Sequence, residues 1–352
     1  MALNKRLERA LNCEPQDQVP FLPAIYEHKG WFIGKTPSAI ARDAQLLTQA
    51  LEAEYQQVQP DALIVGVDVY NIEAEAIGCT VTFYEGEDTS VPAIGSSGAV
   101  FQGTEDVGSL KIPNPQIDGR MPLCLEVARN IVGLIGNELP IRGAVSGPFS
   151  LAAHLAGPGR FFLLTMTQPA LAKELLKFAS EVIKEYGKAF IELGCGVIVF
   201  DSHASPDLLP PEMYRDLVLP PTQAIIEYFR GLGLRHVPLI IGGNTTSLLD
   251  AYLETGANNI LCDFKADAKQ FVQKCSKVRR AFRRNIDSSD FLQVKSDEVH
   301  RRALRCLEES TGFPGFILGS AVLPYGTPLS HLTAMREAVQ EFKKRSAGAF
   351  IG

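Results

Sequence analysis

The 352-residue chain contains no uninterrupted apolar run long enough to span a bilayer, so a helical membrane protein is excluded. It also lacks paired cysteines. Its seven, at 13, 79, 124, 195, 262, 275 and 306, are odd in number, dispersed and free of any CxxC spacing. That pattern points to reduced thiols and offers no sequence-local zinc site. A basic excess is missing too: the net charge is −6 and the pI about 5.6, which argues against a nucleic-acid surface. The most basic stretch, Lys277 to Arg284, reads as the solvated end of a helix and the entry to a strand. Met1 to Leu11 is charged and amphipathic, unlike a signal peptide, and with the reduced thiols this suggests a cytoplasmic protein. Neither GxGxxG nor GxxxxGK[ST] occurs, so no strand is followed by a Gly-rich nucleotide turn.

What is present is a chain with 46% hydrophobic and 21% charged residues, normal for a protein with a sizeable core. Eight short apolar runs fit fully buried parallel strands: Val19–Ile25, Ala62–Val67, Ile141–Val145, Val197–Phe200, Pro238–Ile241, Asn259–Cys262, Ala281–Asn285 and Gly315–Leu318. Helical periods lie between them. A helix opens at Thr36-Pro37 and runs to about Gln57, another spans Met121 to Gly133, and the clearest runs from Pro169 to Leu193. From Gly78 to Pro115 the pattern loosens into a β-rich insertion, about residues 79–115, with a hairpin as its simplest form. Alternating strand and helix units predict an α/β fold, a (β/α)8 TIM barrel, rather than a doubly wound sheet. No linker, low-complexity tract or repeat divides the chain, so residues 1–352 are expected to form one barrel domain with an N-terminal helical extension.

In such a barrel the carboxyl ends of the strands converge on the site. The central stretch is Gly196 to Asp207, where Asp201, Ser202 and His203 follow a buried strand at once. Asp201, His203, Glu27 and His28 are the candidate acid–base residues. Tyr26, Trp31, Asp68, Tyr70, Asn71, Ser146, Asn244, Asp263 and Tyr325 are candidate substrate-binding residues, with Lys265, Asn285 and Asp287 at neighbouring exits. Plainer roles are open to several of them: Asp263 or Asp287 can cap the next helix, and Asn71 can satisfy a turn. His154, His236, His300 and His331 read as structural or exposed. A metal held by His28, His203 and one nearby carboxylate is an alternative that the spacing does not support.

These exits line up with a known family. Asp68-Val-Tyr-Asn-Ile-Glu-Ala-Glu-Ala-Ile-Gly-Cys79, Phe200-Asp-Ser-His-Ala-Ser-Pro-Asp-Leu208, Gly243-Asn-Thr-Thr246, Arg284-Asn-Ile-Asp287 and Gly326-Thr-Pro328 resemble the uroporphyrinogen decarboxylase superfamily, especially its corrinoid-dependent methyltransferase branch. The resemblance runs from about Pro20 to Val339. Two departures shape what it implies. The Arg-Gln-Ala-Gly-Arg-type motif that holds the tetrapyrrole carboxylates in the decarboxylases is replaced by Ala24 to Gly30, without an arginine, so that decarboxylation is not expected. The His-x-Cys-Gly and later Cys of zinc-dependent, thiol-activating members are replaced by Ile240-Ile-Gly-Gly243 and the Ala321-Val322 region, so a thiol such as coenzyme M is a poor candidate acceptor. The resemblance therefore implies a component that moves a methyl group from a small donor, best a methoxylated aromatic, to the cobalt of a corrinoid (cobalamin) carried by a partner protein. It belongs to anaerobic one-carbon chemistry and is compatible with a homodimer. A decarboxylase or lyase of a smaller carboxylated substrate, or a non-catalytic binding barrel, stand as alternatives.

Overall fold

The computed structural model describes residues 5–103, 106–310 and 312–348. Among them ten strands form: β1 (Phe21–Ala24), β2 (Leu63–Val65), β3 (Val81–Thr82), β4 (Ala93–Ile94), β5 (Ile141–Ser146), β6 (Gly196–Phe200), β7 (Pro238–Ile240), β8 (Asn259–Cys262), β9 (Ala281–Ile286) and β10 (Phe316–Val322). Eight make one curled sheet in the order β1-β10-β9-β8-β7-β6-β5-β2, and every pairing in it is parallel. The (β/α)8 expectation holds. All eight expected runs became strands; most are short, apolar and buried on both faces, while β9 carries Arg283, Arg284 and Asn285 among its apolar residues.

The sheet ends, β1 and β2, are joined by side chains. At the lower end the Asp61 amide donates to the Phe21 carbonyl (2.9 Å) and the Phe21 amide donates to Asp61 Oδ2 (2.6 Å). At the upper end the Lys29 ammonium, wholly buried, donates to the carbonyls of Ile64 (2.9 Å) and Gly66 (2.8 Å) and lies 3.9 Å from Glu54. A lysine thus fills the backbone acceptors that a further pairing would have used.

Local differences from the expectations have local causes. The first long helix is two, Pro37–Ala41 and Ala44–Val58. Asp43 sits extended between them, and its side chain accepts from the Gln45 and Leu46 amides, so it starts a second helix instead of continuing the first. A helix at Pro158–Thr167 adds to those expected. Among the described residues the insertion contains one antiparallel hairpin, β3 on β4, with Val81 opposite Ile94. It leans over the carboxyl ends of the barrel, tied there by Asn71, whose amide donates to the Pro92 carbonyl (2.6 Å).

Candidate active site

A cavity of about 450 Å³ opens at the carboxyl ends of the barrel strands, mostly apolar in its lining and roofed by Val91 to Ile94. Period-two alternation decides which side chains reach it. On β9, Arg283 and Asn285 point inward; Leu261 does so on β8, with Asp263 just past its end, and Phe200 on β6. Beyond the strands, Tyr26 and Glu27 follow β1, and Asp68, Tyr70 and Asn71 follow β2. These five candidates line the cavity together with Asp263, so Tyr26, Glu27, Asp68, Tyr70, Asn71 and Asp263 meet despite their separation in sequence.

Their electrostatic states differ. Asp68 is gripped by Arg120 through two short bonds (2.8 and 2.7 Å) and accepts from Asn71 (2.9 Å), so its charge is matched within the protein. Arg120 also meets Glu75 at 2.5 Å. Asp263 accepts from the Asn285 amide (3.2 Å) and the Gly243 backbone N–H (3.0 Å). Glu27 is in no ion pair among the described residues, and burial raises its pKa against the weaker pull of Lys29. The Tyr26 hydroxyl lacks a well-formed hydrogen bond; the Arg283 guanidinium adjoins it and partly offsets the rise that burial imposes on its pKa. Tyr26 stands edge-on to Phe200 (centroids 5.5 Å apart), and Tyr70, bonded to Ser202 through its hydroxyl, stands edge-on to the same ring. Three aromatic faces therefore surround one apolar space.

Seven expected site residues do not line this cavity. Asp201 is wholly buried and turned to the start of helix Pro148–Ala156, where Oδ1 accepts from the Ser150 amide (2.7 Å). Burial raises it to about 6, with the Ser150 bonds pulling the other way. It lies so close to Gly147 that a Cβ there would come within 2.2 Å of the Asp201 carboxyl carbon. The chain leaves strand geometry after Phe200, which is why the polar exit turns sideways. His203 lies behind His154, edge-on with centroids 5.0 Å apart, and burial lowers its pKa. His28 is wholly buried beside Phe32, with both ring nitrogens unpartnered and its pKa lowered by burial to about 4. Ser146 donates from its amide (2.7 Å) and hydroxyl (3.1 Å) to the buried Glu73, whose pKa burial pushes up to about 7. Asn244 is exposed and caps its own turn at Thr246. Trp31 and Tyr325 stack edge-on on the rim, 5.6 Å apart, and the Tyr325 hydroxyl donates to the Lys35 carbonyl (3.0 Å).

Two titratable cavity residues were not among the expected ones. His154, read as structural or exposed, lines the cavity next to Tyr70, with its pKa lowered by burial to about 3, so it is a neutral imidazole at neutral pH. Its signal was a single imidazole on a helix that also carries Phe149, Leu151, Ala152, Ala153, Leu155 and Ala156. Arg283 was counted as part of a solvated basic run, yet it is 3% exposed on the inward face of β9. Alternation within Ala281–Asn285 separates it from its outward neighbours and was the usable signal.

Among the described residues no three His, Cys, Asp or Glu side chains gather as a metal-binding group, and this holds for the pair His28 and His203. Ile240, Gly242 and Ala321, at the places of the zinc ligands in thiol-activating members, all line the cavity and carry no donor atom in their side chains. The residues present do not fit a thiolate zinc.

The family profile described as uroporphyrinogen decarboxylase (URO-D) matches residues 2–342. A methylcobamide:CoM methyltransferase of Methanosarcina acetivorans is 33% identical over 75% of this chain and 77% of its own length. A uroporphyrinogen decarboxylase of Koribacter versatilis is 30% identical over 63% of this chain and 64% of its own. Among solved structures, a methyltransferase from Methanosarcina mazei has a TM-score of 0.86 over 97% of this chain and 99% of its own at 23% identity, a likeness of fold. The chain belongs to the uroporphyrinogen decarboxylase family, within its corrinoid-dependent methyltransferase branch.

Proposed function

We propose that the protein removes the methyl group of a small methoxylated aromatic and delivers it to a corrinoid held by a partner protein, with Glu27 as the acid that assists the leaving oxygen. The relatives named as methylcobamide:CoM methyltransferases support the corrinoid half of this reading. The acceptor is a second substrate here, and its reduced cobalt supplies the nucleophile as the carbon–oxygen bond breaks. An aryl ether is a poor leaving group unless its oxygen gains a proton, so the chain must place a proton donor against that oxygen. The observation that carries the reading is that Glu27, alone of the four candidate acids Asp201, His203, His28 and Glu27, lines the cavity, with its pKa raised by burial. A raised pKa keeps a population of the carboxyl protonated nearer neutral pH, as a general acid needs. Tyr26, Tyr70 and Phe200 would hold the ring, and the roof of Val91 to Ile94 would exclude water while leaving the mouth for the partner.

The test is a spectrum. Full-length protein, a reduced corrinoid protein and a panel of methoxylated aromatics, methanol and methylamines are mixed, and the loss of the Co(I) absorption is followed. Demethylation of the aromatic ethers is expected, and Glu27→Gln should slow it by roughly 100- to 10,000-fold without lowering the urea midpoint. Carbon dioxide released from a carboxylated substrate without any corrinoid would instead establish the decarboxylase reading.

A further inference from the structure

We infer that Arg283 is the receptor for a carboxylate on the small substrate, so that the protein selects an anionic donor over a neutral one. This rests on the proposed reading only for the identity of the methyl group. The anion site itself is independent of it.

Arg283 is a buried cation without a carboxylate partner. No ion pair neutralises its guanidinium among the described residues, its Nε is buried with no acceptor, and the side chain within hydrogen-bonding reach of it is the neutral Tyr26 hydroxyl. Three other buried or partly buried cations nearby are matched. Arg120 is held by Asp68 and Glu75, Lys29 by two carbonyls and Glu54, and Arg284 by the carbonyls of Asp263 and Ala266. A guanidinium taken out of water without hydrogen bonds or a counter-charge is costly, and a ligand that supplies both offsets that cost. Asp263, the other charged group in this wall, is occupied by Asn285 and the Gly243 N–H and makes no ion pair with Arg283.

The surroundings are arranged for an anion. Arg283 lies two residues below Asn285 on the same inward face of β9, so the charge sits at the closed end of the cavity. The Tyr26 hydroxyl adjoins it and offers a neutral donor to an anion held there. A second buried arginine, Arg142 on β5, adds positive potential from deeper in the barrel, and its own pKa is lowered by burial to about 10. Gly319 on β10 makes room: a Cβ there would stand 2.8 Å from Arg283 Cδ and 2.7 Å from Asn285 Oδ1. The rest of the lining is mostly apolar, and of its carboxylates Asp68 is matched by Arg120 and Asp263 by Asn285 and the Gly243 N–H, which leaves Glu27. An anionic head at the floor and a methylated ring above it match this polarity, and guanidinium binds carboxylate in two parallel bonds.

The test measures binding by calorimetry on the full chain without corrinoid, using benzoate, 4-methoxybenzoate and neutral methoxybenzene. Both carboxylates should bind at least tenfold more tightly than methoxybenzene, and Arg283→Gln should remove that preference while leaving methoxybenzene binding unchanged. Equal affinity for charged and neutral probes in the wild-type protein, or no saturable benzoate binding, overturns the inference, and neither result depends on the variant folding. An unaltered preference in folded Arg283→Gln also overturns it. Benzoate that binds through Arg283, with no methyl transfer from 4-methoxybenzoate to any Co(I) protein, would leave the anion site standing and defeat the methyltransferase reading alone. Rapid demethylation of neutral ethers with no benzoate binding would do the reverse.

Discussion

At the scale of the residue, position relative to the strand end decides chemistry more than residue type does. Asp201 and Glu27 are both carboxyls one or a few residues past a barrel strand, and burial raises the pKa of both. Glu27 faces the cavity, whereas Asp201 accepts the Ser150 amide at the start of helix Pro148–Ala156. Asp201 therefore works as a cap reaching across from another element. Asp201→Ala is expected to cost about 1–2 kcal/mol of stability, as loss of a cap does, while turnover of the folded fraction stays near the wild-type value. Urea unfolding beside Co(I) spectroscopy reads the two effects apart, and a thousandfold fall in turnover at unchanged stability would return Asp201 to the reaction. His203→Ala belongs to the same comparison. The ring lies behind His154 instead of against the substrate space, so a small change in rate is expected, far from the loss at Glu27.

At the scale of the element, the barrel was legible because most of its strands are short apolar runs between helical periods. The run Val197 to Phe200 and its polar exit were placed correctly, and so was the hairpin within the loose segment after Gly78. What could not be read was the direction of side chains once regular geometry ends. Periodicity is informative inside β9, where it would have turned Arg283 inward, and silent after Phe200, where a single turn of 3₁₀ helix takes Asp201 and His203 aside. Nor does any local pattern announce the seam between β1 and β2, since Lys29, Glu54 and the carbonyls of Ile64 and Gly66 come from separate segments. Lys29 sits there because an ammonium with three donors can satisfy two strand carbonyls and a carboxylate at once. Lys29→Met removes all of those bonds and leaves Glu54 buried without its cation. A loss of about 3 kcal/mol is expected from urea unfolding, and Glu54→Leu added to Lys29→Met should recover part of it. A Lys29→Met protein as stable as the wild type would show that the seam closes without the lysine.

At the scale of the whole molecule, the barrel buries acids and imidazoles whose proton affinities are pushed in opposite directions by one cause, desolvation. Glu73 rises to about 7 and Asp201 to about 6, while His28 falls to about 4 and His154 to about 3. The raised carboxyls bind more protons folded than unfolded between their ordinary range and these values, so their contribution is present at low pH and is lost as pH rises towards 7. The lowered imidazoles bind fewer protons folded than unfolded, so theirs is present above about 6.5 and is lost as pH falls towards 4. Between about pH 5 and 6 the two pairs act with opposite slopes, and their joint effect on stability is close to flat. Glu73→Gln unbalances them. Glutamine cannot ionise and keeps an acceptor for the Ser146 amide, so the variant escapes the loss that the wild type suffers as pH climbs. Relative to wild type, it should gain roughly 2–3 kcal/mol between pH 5 and pH 8, because each unit of pKa displacement is worth about 1.4 kcal/mol. Urea midpoints for both proteins at pH 5, 6, 7 and 8 give the comparison directly. Parallel curves would mean that Glu73 is ionised throughout, its charge held by the Ser146 amide and hydroxyl, and that the flat interval has another origin.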